Sequence, residues 1–338
     1  MTSRNGNARP VIGLTLGDPT GIGNEIVARV LCERLFPETV DLLLIGDRRQ
    51  LDQGLRTIGG DLPVRLVDPD AAIDFEAPGF AMIDLANMDP GSIERGKVSA
   101  EAGRLTGETL HYSIKLSQRG VLDAITFAPL NKQALHAGGW RYLDEHKMFA
   151  DLLGHKGYFS EMNVVEGQWM SRVTSHVALR KALDLITPDS ISDAVHLADR
   201  MMRKVGIDNP RIAVCALNPH GGEGGLFGTE EIDFIRPTVE RLAAGGINCS
   251  GPYPSDTIYL KAFAGHFDSV VAMYHDQGQI ATKLKGLGKG VTITAGLATV
   301  FTTPAHGTAF DIVGQGKATP GALQAALALA AKLIARPV

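Results

Sequence analysis

The chain has 338 residues, a formal net charge of −4, 44% hydrophobic and 21% charged residues. It is long enough for two cores of ~150 residues each and too apolar for a disordered or collagen-like class. The mild negative balance gives no electrostatic reason to expect nucleic acid or an anionic membrane surface as a partner, and no apolar run reaches the ~18 residues of a bilayer-spanning helix.

Residues 1–10 are polar, lack the apolar stretch of a signal peptide and read as a frayed tail. Residues 11–16 read as a strand, 21–35 as a helix, 40–45 and 81–84 as strands, 100–118 as a helix and 124–126 as a strand before a turn at 129–131. Further on, 171–176 is strand-like and 178–185 turns into a helix start. A helix over 190–205 has Asp189 or Ser190 as its cap. The apolar run 211–217 fits a buried strand, 230–243 a helix, 252–254 a loop, and 269–274 another strand stopping at His275. A glycine-rich turn at 286–290 precedes β-branched residues 291–294, and 320–335 closes the chain as a helix with Pro320 at its first position. Strands alternating with helices predict a two-domain α/β protein with a mostly parallel sheet flanked by helices. Cys32, Cys215 and Cys249 show no C-x-x-C spacing; they read as structural thiols in a reducing, cytoplasmic setting.

Three histidines stand at equivalent places. His176 ends a strand-like run, His220 follows 211–217, and His275 follows 269–274. Parallel α/β sheets bind ligands beyond the carboxyl ends of their strands, and three neutral imidazoles with an open position describe a catalytic divalent-metal site. Imidazoles accept zinc, cobalt, manganese or nickel, and magnesium is a further candidate. Five glycines within 220–228 let the backbone approach a ligand, with Glu223 inside the loop as an orienting carboxylate or a solvated one. Asp18, Gly21 and Gly23 lie in a glycine-containing strand-to-helix turn that suits an anion or plain turn chemistry. It is not G-x-G-x-x-G.

The stretch His306-Gly307-Thr308-Ala309-Phe310-Asp311 resembles the adenosine-binding loop of the isocitrate and isopropylmalate dehydrogenases. That resemblance implies a nucleotide at His306, Gly307, Thr308, Ala309 and Asp311. A carboxylate at 311 repels a 2′-phosphate, which favours NAD over NADP. Six ordered blocks extend the likeness: Gly-Asp-Pro-Thr-Gly-Ile-Gly-Asn-Glu (17–25), Ala-Pro-Leu-Asn-Lys (128–132), Asn-Pro-His-Gly-Gly-Glu-Gly-Gly (218–225), Gly-Pro-Tyr-Pro-Ser-Asp-Thr (251–257), Ala-Met-Tyr-His-Asp-Gln-Gly (272–278) and His-Gly-Thr-Ala (306–309). Together they resemble the 4-hydroxythreonine-4-phosphate dehydrogenase family across nearly the whole chain.

The resemblance implies an isocitrate/isopropylmalate dehydrogenase-like fold. Its nucleotide-binding domain would be 1–142 plus 296–338, its metal, substrate and dimerisation domain 143–295, and its active site would lie in the interdomain cleft. It further implies a homodimer with shared active sites, a divalent ion on His176, His220 and His275, and a small-molecule substrate. The implied reaction is NAD-linked oxidation of a secondary alcohol of a short, often phosphorylated, hydroxy acid, followed by decarboxylation. Lys283 matches a substrate-contacting lysine, and Asp256 and Asp276 are the other acid–base candidates. Of the positions implied to touch substrate, His146 and Lys283 match, whereas Lys147, Thr292 and Phe301 stand where the family carries threonine, asparagine and arginine. Phenylalanine cannot replace arginine's planar five-donor clamp. The readings left open are the family's own substrate in pyridoxine biosynthesis, a threonate or erythronate phosphate, and an aromatic cis-dihydrodiol carboxylate. A structural-metal or nucleotide-sensing protein is the non-enzyme alternative. A metallohydrolase would not explain the 306–317 loop.

Overall fold

The structure, a computed structural model, describes residues 9–88, 91, 93–286 and 288–335, so all of the expected polar tail except residues 9 and 10 lies outside the described residues. The chain begins β1 (Val11–Thr15), α1 (Gly23–Cys32), β2 (Asp41–Gly46), α2 (Arg48–Ile58), β3 (Val64–Leu66), β4 (Phe80–Asp84), α3 (Ala100–Gln118) and β5 (Ala124–Phe127). Next come α4 (Lys132–Ala137), α5 (Glu145–Leu152), β6 (Ser160–Val165), β7 (Gln168–Arg172), α6 (Leu179–Leu185), α7 (Pro188–Lys204) and β8 (Ile212–Cys215). The remainder is α8 (Arg236–Ala244), β9 (Cys249–Tyr253), α9 (Ser255–Phe263), β10 (Ser269–Ala272), α10 (His275–Gly286), β11 (Val291–Ala295), β12 (Val300–Pro304) and α11 (Gly321–Ile334). This is a mostly parallel α/β architecture with helices flanking the strands.

Two compact units result: the chain up to Lys156 together with the part from Leu297 onward, and Gly157–Gly296. In the first the strand order is β3-β4-β2-β1-β5-β12, and every pair is parallel. Its inner strands β2, β1 and β5 are buried, mostly apolar runs, as β1 is in Val11–Thr15, because both faces are covered. Phe149 on α5 meets Phe127 edge-on at 5.5 Å and stacks on Phe301 at 4.1 Å. That aromatic contact is why α5 belongs to this unit, although the expected border at residue 142 left it to the second domain.

In the second unit the order is β11-β6-β7-β10-β8-β9. β11/β6 and β6/β7 are antiparallel; β7/β10, β10/β8 and β8/β9 are parallel. Glu166 and Gly167, with φ of 50° and 86°, give the β6–β7 hairpin the paired positive φ of a tight two-residue turn.

Several expectations shift. Thr187, rather than Asp189 or Ser190, caps α7, in a reciprocal box with Ser190 and with Pro188 in the first turn. Pro252 and Tyr253 form part of β9 instead of a loop, which an edge strand tolerates. Pro320 is the residue before α11 rather than its first. Cys215 and Cys249 are buried, and burial pushes their thiols up to about 12 and about 11, as suits inert packing groups. Among the described residues no helix is long and apolar enough to cross a membrane.

Candidate functional site

β7, β10 and β8 are neighbours and run parallel, so the chain leaves all three at one edge of the second unit. Bonds from Val173 N to Ala272 O (2.8 Å) and from Thr174 N to Met273 O (3.2 Å) carry the β7 and β10 exits on together. The rings of His176 and His275 consequently lie 5.4 Å apart between centroids. Both line a cleft of about 220 Å³ with Thr174, Tyr274 and Asp276. Asp276 holds His275 Nδ1 at 2.7 Å, which orients the ring and leaves its other nitrogen for a ligand. His176 has φ +50°, a conformation that histidine adopts more readily than most side chains but still at a cost. Two imidazoles opening on one cleft are a donor set that fits a divalent ion such as zinc or cobalt.

His220 does not join them. It is exposed, with its ring 6.2 Å from that of Phe227. Among the described residues, no three His, Cys, Asp or Glu side chains are grouped so as to hold a metal ion. Within one copy of the chain, two of the three expected imidazoles are thus brought together. Strand order brings the three exits to one edge, and His220, on its own turn, is not among the residues lining the cleft.

That turn is left-handed: φ runs 52°, 65°, 79°, 44° and 66° from His220 to Gly224. Glycine visits this region freely, whereas an L residue loses ~1–2 kcal/mol there. Glu231, 1% exposed, anchors the chain just before it. Its Oε1 accepts from Leu217 N and Asn218 N, each at 2.8 Å, and its Oε2 from Asn218 Nδ2 at 2.9 Å. A Cβ on Gly222 would stand 2.7 Å from that same Oε2. Burial opposes charge on Glu231, but these donors outweigh it and hold its carboxyl below the usual range. Glu223, which the sequence singled out, is exposed; Glu231, which it missed, does the anchoring. The available signal was an acidic residue opening the helix after the glycine run.

In the first unit, segments 17–25 and 305–318 pack on each other. Ile22 N donates to Thr308 O at 3.1 Å, Ala318 N to Glu25 Oε1 at 2.9 Å and Arg29 Nη2 to Gly316 O at 2.6 Å. A Cβ on Gly21 would meet Thr308 Cβ at 2.7 Å, and one on Gly23 would meet Leu16 O at 2.4 Å. Asp18 is buried and builds the turn, its Oδ1 accepting from Thr20 N and Oγ1 at 2.8 and 2.6 Å. Burial pushes its carboxyl up despite those bonds. Of Asp18, Gly21 and Gly23, expected as cofactor contacts, Gly21 makes room for Thr308 of the 305–318 segment, while Asp18 builds the turn and Gly23 lets it close on Leu16. Of the nucleotide positions expected in that segment, Gly307 and Asp311 are exposed, His306 and Ala309 are half-buried and Thr308 is buried.

Arg95 adjoins the segment and was passed over in the sequence. Its Nη1 lies 3.0 Å from the place of a Cβ on Gly314. Its Nε and Nη2 are buried with no hydrogen-bond partner among the described residues. Buried donors beside an open glycine-rich segment fit an anionic ligand such as a dinucleotide.

The expected substrate positions divide. His146 is buried on α5, 3.7 Å from Glu145, which pairs with Lys132 at 3.3 Å. Lys147 is half-buried, and its N–H is bonded to Asp144 at 2.9 Å. Lys283 is exposed on α10, on the side that His275 and Gln279 share by helical repeat. Asp256 is exposed in the first turn of α9. Thr292 on β11 accepts from Asn163 Nδ2 of its register partner at 2.9 Å. Phe301 is wholly buried against Phe149, so its expected place in the substrate pocket is corrected: the aromatic ring on β12 joins the core.

Residues 38–330 match the family of the pyridoxal phosphate biosynthetic protein PdxA. The chain belongs to this family. A relative from Pseudomonas aeruginosa, a putative 4-hydroxythreonine-4-phosphate dehydrogenase, is 43% identical over 97% of this chain and 98% of its own. A D-threonate 4-phosphate dehydrogenase from Pectobacterium atrosepticum is 39% identical over 96% and 99%. The crystal structure of a 4-hydroxythreonine-4-phosphate dehydrogenase from Klebsiella pneumoniae aligns with a TM-score of 0.83, at 37% identity over 98% and 99%. These family members are named as dehydrogenases, which places the chain among oxidoreductases.

Restoring the family's arginine alone, with Phe301→Arg, forces a charge into the aromatic core and should cost more than about 3 kcal/mol in urea unfolding. Phe301→Leu should cost about 1–2 kcal/mol. A stable Phe301→Arg protein would contradict the assignment of this ring to the core. Glu231→Gln should lose on the order of 1–3 kcal/mol at pH 7. Because the folded carboxyl titrates below its unfolded value, Glu231 contributes fully above pH ~4.5, and its contribution is lost as pH falls through the lowered value. The gap between the two proteins should therefore close on acidification, and a gap independent of pH would contradict the charged anchor.

Proposed function

We propose that the protein is an NAD-dependent dehydrogenase that oxidises the secondary alcohol of a four-carbon, 4-phosphorylated hydroxy acid of the D-threonate type. The resulting β-keto acid then loses carbon dioxide. The observation that carries this reading is the His176–His275 pair at the exits of adjacent parallel strands, in a chain whose near-full-length relatives are named for dehydrogenating such acids.

In this reading His176 and His275 of one copy bind a divalent ion together with His220 of a second copy. Exposed apolar side chains flank both parts of the set: Val177 and Leu179 beside His176, Leu226 and Phe227 beyond His220. Such patches mark surfaces that another chain covers, and in a two-fold homodimer each His220 meets the other copy's histidine pair reciprocally. The ion would polarise the substrate's hydroxyl and carboxylate and steady the charge left as carbon dioxide departs, while bound NAD would take the hydride.

The chain's own groups supply the rest. Asp276 fixes the ring of His275. Lys283 takes the hydroxyl proton as the hydride leaves and returns a proton to carbon after decarboxylation, with Asp256 as the second candidate for that transfer. Lys147 supplies positive charge toward the anionic substrate, as a point charge rather than a fork. His306, Gly307, Thr308, Ala309 and Asp311, with Arg95, would hold the nucleotide, and the exposed Asp311 favours a free 2′-hydroxyl. Phe301, wholly buried, offers no aromatic wall to a dihydrodiol substrate.

The test is NADH formation by the metal-supplemented protein with D-threonate 4-phosphate, D-erythronate 4-phosphate, 4-phosphohydroxy-L-threonine and an aromatic cis-dihydrodiol carboxylate. D-threonate 4-phosphate should lead in kcat/KM by about tenfold or more, and NADP should be a poorer oxidant than NAD. A leading rate on the dihydrodiol, or a preference for NADP, would contradict the proposal.

A further inference from the structure

The second unit buries charge in strands that are otherwise apolar. Glu161 on β6 and Arg172 on β7 are 8% and 3% exposed, among buried Met162, Val164 and Met170. Arg172 Nη2 donates to Glu161 Oε1 at 2.8 Å and to Asn163 Oδ1 at 2.5 Å, and Nη1 to Gln279 Oε1 at 3.3 Å. Asn163 in turn holds Thr292. The second oxygen of Glu161, Oε2, lies 3.7 Å from His176 Nε2.

A buried ion pair gives a fold no more stability than well-packed apolar residues of the same volume, so packing alone does not account for this one. Arg172 engages one carboxylate oxygen, and the other lies toward the imidazole. Carboxylates beside metal-binding histidines fix the ring and raise its basicity. We propose that Glu161, held by Arg172, is the positioning residue that aims His176 at a divalent cation. Through Gln279 the same guanidinium is tied to α10, the helix that His275 opens. Both members of the histidine pair are thereby referenced to one buried charge pair, and Thr292, at an altered substrate position, is linked to it through Asn163. This inference rests on the reading of the histidine pair as a metal site.

The experiment measures Zn²⁺ and Co²⁺ affinity by chelator competition, the Co²⁺ absorption spectrum, and the thermal midpoint of the metal-free protein. Glu161→Gln keeps the shape and an acceptor for Arg172. It should bind either ion about tenfold or more weakly, with an altered Co²⁺ spectrum and a midpoint within about 2 °C of wild type. The Glu161→Leu/Arg172→Leu double variant should show the same loss of affinity with its midpoint kept or raised. Affinities within about twofold of wild type in both variants, or a loss that merely tracks a lowered midpoint, would overturn the role of Glu161. His275→Ala is the control. If it loses the ion while the Glu161 variants do not, only the positioning role falls; if wild type binds neither ion, or His275→Ala binds them normally, the metal-site reading falls and takes this one with it.

Discussion

The in-register parallel pairing of β7 with β10, Arg172 opposite Ala272, decides where the chemistry of the second unit can sit. Parallel strands end at the same edge, and two histidines placed just past neighbouring ends must come near each other. Pairing of β10 with β8 on the other side adds a third exit to that edge. The three exits then take different courses. After β7 the chain turns at a left-handed His176, after β10 it enters a helix at His275, and after β8 it passes into the left-handed turn of His220. The same topology joins two imidazoles at one cleft and leaves the third on a separate, exposed turn.

Glycine and carboxylate chemistry divide the work of holding these segments. In the turn after β8, glycines permit the backbone and the buried Glu231 restrains the residues leading into it. In the first unit Gly21 lets the strand-to-helix turn approach the 305–318 segment, and Glu25 and Arg29 hold that segment by its backbone. The conspicuous motif residues there are mainly scaffold. The groups left to meet a ligand are the accessible residues of the second segment and the unpartnered donors of Arg95.

Much of the fold was legible because its signals are local. The apolar spacing over 100–118 gives α3 to the residue, and the apolar runs give β1, β5 and β10 within a few residues. The hairpin β6–β7 was not legible as two strands, since Glu166-Gly167 is an unusual turn pair and the polar Glu161, Asn163 and Arg172 break the apolar run of a buried strand. Only the pairing of those strands shows that they neutralise one another. Likewise α10 was hidden behind the turn-like His-Asp-Gln-Gly run. The candidate site was legible to the level of which strand ends carry histidine, because strand order follows from alternation. Direction was not, because the left-handed turn at His220 and the burial of Phe301 depend on tertiary contacts that spacing does not encode.

Completion of the histidine set across two copies of the chain is tested most directly by coexpressing His220→Ala and His275→Ala chains and measuring the activity of the mixed dimers. Each variant alone should be inactive. With random pairing, half of the dimers are mixed and one of the two sites in each is intact, so activity should return to about a quarter of wild type. No activity above that of the separate variants would contradict the account and return all three ligands to a single chain.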